Sequence, residues 1–168
     1  MKRFIKLVVG ISTWSGKLTA FILWPGVAVL VYEIVARYLF NAPTIWAHGT
    51  TQRLFAVYYI LSGGYVSLTK SHVCMDLIYG HFSPRGKAIV NMISGLLFFA
   101  FVGVLLWQGI GYAKDSLIWL EPDNTPFRAP LYPVKMMVPL GAFLILLQEF
   151  ANFLQDLIFV VTGRKYEL

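Results

Sequence analysis

The chain has 168 residues, a hydrophobic fraction of 58%, a charged fraction of 13% and a formal net charge of +6. Soluble domains carry about 25% charged residues, so much of this surface must face something other than water. The basic residues sit at the ends of apolar runs rather than on one contiguous face, which argues against nucleic acid as a partner and for membrane lipid. The one cysteine, Cys74, excludes an intrachain disulfide and a multi-cysteine metal site.

In residues 1–16, Phe4, Leu7, Val8, Ile11 and Trp14 recur at helical spacing, with Arg3, Lys6, Gly10 and Thr13 on the opposite face. This pattern predicts an amphipathic helix lying at the membrane interface. The polar stretch from Ser12 to Lys17 interrupts the apolar run, which disfavours a cleaved leader.

Four segments then approach the roughly 20 apolar residues that a spanning helix needs. They fall at residues 18–40, 48–70, 88–113 and 132–153. Asn41, Ala42 and Pro43 end the first with turn chemistry, and Ser83, Pro84 and Arg85 open the third. Gly95, Gly103 and Gly111 recur every eight residues along the third, which reads either as a close-packing seam or as ordinary membrane-helix glycines. Pro122, Pro126, Pro130 and Pro133 predict an extended, non-helical loop before the fourth. The expected fold is an all-α polytopic membrane protein: one domain over residues 1–168, with four transmembrane helices after an N-terminal interfacial helix.

Orientation follows from Lys and Arg in the flanks. Lys2, Arg3, Lys6, Lys17, Lys70, Arg85, Lys87, Arg164 and Lys165 fall on one side, and Lys114 and Arg128 on the other. The positive-inside rule places both termini in the cytoplasm.

Glu33 and Arg37, four apart on the first span, share a face in the favourable acid-first order. Arg53 enters the second span from the same outer side, within expected reach of Glu33, and Lys135 opens the fourth there. These residues are expected to form an outer polar cluster. It serves as a structural clamp or subunit interface or, on the rival reading, as a substrate or proton site. Trp46 and the other tryptophans near span ends predict an aromatic belt. Glu149 and Asp156, seven apart on one face, suit solvation at the inner interface.

His72, Cys74, Asp76 and His81 are the one grouping with metal-ligating side chains, but their spacing matches no zinc pattern. No metal and no cofactor are expected. The histidines fall at span ends or in a loop, which disfavours haem between helices. No nucleophile–base pattern, phosphate loop or HExxH motif appears, so no enzyme is expected.

Three stretches resemble the small membrane subunit of the tripartite ATP-independent periplasmic (TRAP) transporters. The first holds Glu33, Arg37, Tyr38, Phe40, Pro43 and Trp46, followed by Gly63 and Gly64. The second holds His72, Val73 and Asp76, then Ser83, Pro84 and Arg85. The third runs from Ala129 through Pro130, Leu131, Tyr132, Pro133, Val134 and Lys135, then on to Pro139, Leu140, Gly141, Leu147 and Gln148. The chain departs from the family in having Ala47, His48 and Gly49 where an acidic residue often follows the tryptophan, and Cys74 where a basic residue often stands.

The resemblance implies a scaffold subunit of a sodium-coupled importer of organic acids in the bacterial inner membrane. Its expected partners are a large membrane transport subunit and a periplasmic substrate-binding protein. Two alternatives remain at this point: a self-contained homodimeric transporter using Glu33, and a membrane anchor subunit of a respiratory enzyme.

Overall fold

The computed structural model describes residues 2–69 and 84–162. They form four helices: α1 (Lys2–Tyr38), α2 (Ala47–Leu68), α3 (Pro84–Ile118) and α4 (Tyr132–Thr162). The described residues contain no β-strand, and the fold is all-helical. The histidines, cysteine and aspartate at positions 72, 74, 76 and 81 lie outside the described residues.

Three helices are long and apolar enough to cross a membrane: Arg3–Tyr38, Gly86–Ile118 and Tyr132–Val161. The 22 residues of α2 span about 33 Å at 1.5 Å per residue, which matches the roughly 30 Å of a hydrocarbon core. Its composition is more polar, because His48, Thr50, Thr51, Gln52 and Arg53 crowd its first two turns.

The N-terminal segment differs from expectation. It is not a separate interfacial helix; residues 2–16 are the first part of the continuous 37-residue α1. The inward face is also not the predicted apolar stripe. Leu7, Trp14 and Phe21 are exposed, whereas Ile5, Val8, Ser12, Ser15 and Thr19 are buried at spacings of three and four. Within the Ser12–Lys17 stretch that looks like an interruption, Ser12, Ser15 and Gly16 are therefore a packing surface. In lipid there is little hydrophobic drive between helices, so small residues that let backbones approach are favoured at contacts. Ser15 and Thr19 satisfy their hydroxyls locally, donating to the Ser12 and Gly16 carbonyls at 2.8 and 2.9 Å.

Helix α1 ends where the sequence places its end. Asn41 adopts the left-handed conformation (φ 49°), one that Asn tolerates well, and Pro43 cannot continue the helix.

The spatial order is α1, α2, α4, α3. Helix α1 packs on α2, α2 on α4 and α4 on α3, and α1 also touches α4. The close approaches lie at glycines outside the predicted seam. A Cβ on Gly16 would stand 2.6 Å from the Tyr65 ring, and one on Gly63 would stand 2.5 Å from Ile145. One on Gly141 would stand 2.6 Å from the Ile60 carbonyl oxygen. Gly103 and Gly111 meet nothing within 4 Å, and Gly95 makes only ordinary contact with Glu149. The three glycines thus do not form one seam: Gly95 faces α4, while Gly103 and Gly111 turn away from it.

Gly141→Ala should therefore be costly, since its close neighbour is backbone and cannot swing aside. Overpacking of this kind costs about 1–3 kcal/mol, or several degrees of melting temperature in a chain of this size. Gly103→Ala should melt with the wild type in detergent. Equal melting of the two variants would contradict the α2–α4 contact described.

Candidate functional site

The polar side chains fall into two groups, one at each end of the contact between α1, α2 and α4. At the outer end, predicted from the charge pattern, Glu33 is 6% exposed on α1. Arg37 donates to its Oε1 through Nε at 3.0 Å and Nη2 at 2.5 Å. The other carboxylate oxygen accepts from the Thr44 hydroxyl and, at 3.2 Å, from the Thr44 amide. Thr44 lies in the turn that connects α1 to α2, so Glu33 fastens that turn to the helix before it. Trp46 stacks on Tyr32 with ring centroids 5.8 Å apart, adding a second tie across the same hairpin.

The predicted link from Arg53 to Glu33 does not form. Glu33 is already saturated by Arg37 and Thr44, and the Arg53 guanidinium instead meets Asp123 at 2.5 Å. Asp123 belongs to the loop between α3 and α4 and also accepts from the Thr125 hydroxyl at 3.1 Å. Lys135 pairs with Glu121 of the same loop at 2.5 Å and lies 4.0 Å from the centre of the Tyr112 ring. The expected single cluster of Glu33, Arg37, Arg53 and Lys135 is therefore three separate ion pairs.

The acidic partners of Arg53 and Lys135 are the residues the sequence reading missed. A signal was present: two embedded cations on the outer side, and two acids, Glu121 and Asp123, in the one long outer loop. The loop is also more structured than its prolines suggest. The Asp123 amide donates to the Ala129 carbonyl at 2.8 Å, and the Leu131 amide to the Glu121 carbonyl at 2.9 Å. Pro122 and Pro130 face each other as an isolated antiparallel bridge. Two ion pairs thus bolt a small hairpin to α2 and α4. Its tip forms an open recess of about 370 Å³ lined by Asp123, Asn124, Thr125 and Arg128.

The inner group was not anticipated as a unit. Gln148 on α4 is fully buried. Its Oε1 accepts from the Ser12 hydroxyl of α1 at 2.7 Å, and its Nε2 donates to Asn152 Oδ1 at 3.1 Å. Asn152 in turn donates to the Ser67 carbonyl of α2 at 3.1 Å. The Ser67 hydroxyl donates at 2.8 Å to Glu149, placed by the sequence reading at a solvated inner interface. One buried amide row on α4 thereby joins three helices.

Neither group resembles a reaction centre. Among the described residues, the embedded carboxylates and cations are held by one another or by neutral donors, and no three His, Cys, Asp or Glu side chains gather as a metal site.

The Lys135 ammonium, donating to Glu121, holds that carboxyl below the usual carboxylate range. A lowered folded-state value stabilises the fold above the unfolded glutamate value of about 4.3, and this stabilisation is lost as pH falls through the folded value. The melting difference between wild type and Glu121→Gln should therefore be present near neutral pH and shrink below about pH 4. A difference that stays constant down to about pH 3 would contradict the pairing.

Compared with known families, residues 26–158 match the family described as "Tripartite ATP-independent periplasmic transporters, DctQ component". The matched region contains all six residues of the three outer ion pairs, the hairpin and the α4 amide row. No curated protein matches the chain.

Proposed function

The chain belongs to the DctQ family, the small membrane component of TRAP transporters, and on that premise we propose that it is a static scaffold within a sodium-coupled importer of organic acids. It packs against the large transport subunit and helps to dock the periplasmic substrate-binding protein. In this proposal residues 1–168 are one membrane domain of the bacterial inner membrane. All four helices cross the bilayer, with both termini in the cytoplasm and the 119–131 hairpin outside. The family is a transporter component rather than an enzyme family.

The observation that carries the scaffold reading is the commitment of the embedded charges to partners within the chain. Glu33 is held by Arg37 and Thr44, Arg53 by Asp123 and Lys135 by Glu121. A carrier site needs polar groups that exchange partners with a substrate or ion. Groups already paired between helices and loops fix helix positions instead. Glu33, Arg37, Arg53 and Lys135, with Trp46, are accordingly proposed as structural ties. The same pairing weakens the self-contained transporter, which would need Glu33 free. The family match leaves nothing to favour an anchor for a respiratory enzyme.

The test is reconstitution. Vesicles holding this chain alone should take up no organic acid under a sodium gradient, whereas vesicles holding it with the large subunit, supplied with the binding protein, should. Uptake by the chain alone would overturn the scaffold reading.

A further inference from the structure

We draw no further inference here: the strongest candidate, the open face of α2 that carries the exposed His48, Gln52 and Tyr59, is an unpartnered helix surface, and nothing in the structure shows what covers it.

Discussion

The buried amide row on α4 is the contact on which the rest of the bundle depends. Gln148 and Asn152 reach α1 through the Ser12 hydroxyl and α2 through the Ser67 carbonyl. In a soluble protein such a row would compete with apolar packing. In lipid the alternative to a helix–helix contact is a lipid contact of similar polarity, so apolar side chains give little preference for one partner helix over another. A glutamine with no exposure offers that preference, because pulling the helices apart leaves its amide unsatisfied. The same row fixes the height of α1 relative to α4 through Ser12.

From that arrangement follows a division of surfaces. The contacts of α1, α2 and α4 are closed by glycines with a side chain or backbone seated on them. The outer loop is held to α2 and α4 by Arg53 and Lys135. What remains free is mostly apolar: along α1 between positions 18 and 31, along α4, and along much of α3. A molecule whose embedded Glu33, Arg53 and Lys135 are each ion-paired within the chain is built to hold position among larger partners rather than to move an ion through itself.

Much of this was legible in the sequence. The four helices, the stop at Asn41 and Pro43, and the Glu33–Arg37 pair follow from spacing and turn chemistry, which act locally. Three features were not legible, each for a physical reason. The continuity of α1 was hidden because Ser12, Ser15 and Gly16 look like a break in an apolar run, and only their burial against α2 and α4 shows them to be its contact face. Arg53 was assigned to the wrong acid because a hairpin neighbour is nearer in sequence than Asp123, 70 positions away. The Gly95–Gly103–Gly111 spacing does not mark one seam, since eight residues overshoot two helical turns by about 80° and, of the three, only Gly95 meets α4. The TRAP resemblance, drawn from the order of several weak stretches, agrees with the family match over residues 26–158.

The account stands most directly on the hydrogen bond between Ser12 and Gln148. A double-mutant cycle of Ser12→Ala and Gln148→Ala, read as unfolding free energy in detergent, isolates it. Interhelical polar pairs in membranes average about 0.6 kcal/mol and reach about 1.7 kcal/mol. A fully buried pair with a single geometry should show coupling in the upper part of that range. Two substitutions whose effects simply add would contradict the claim that this contact holds α1 to α4.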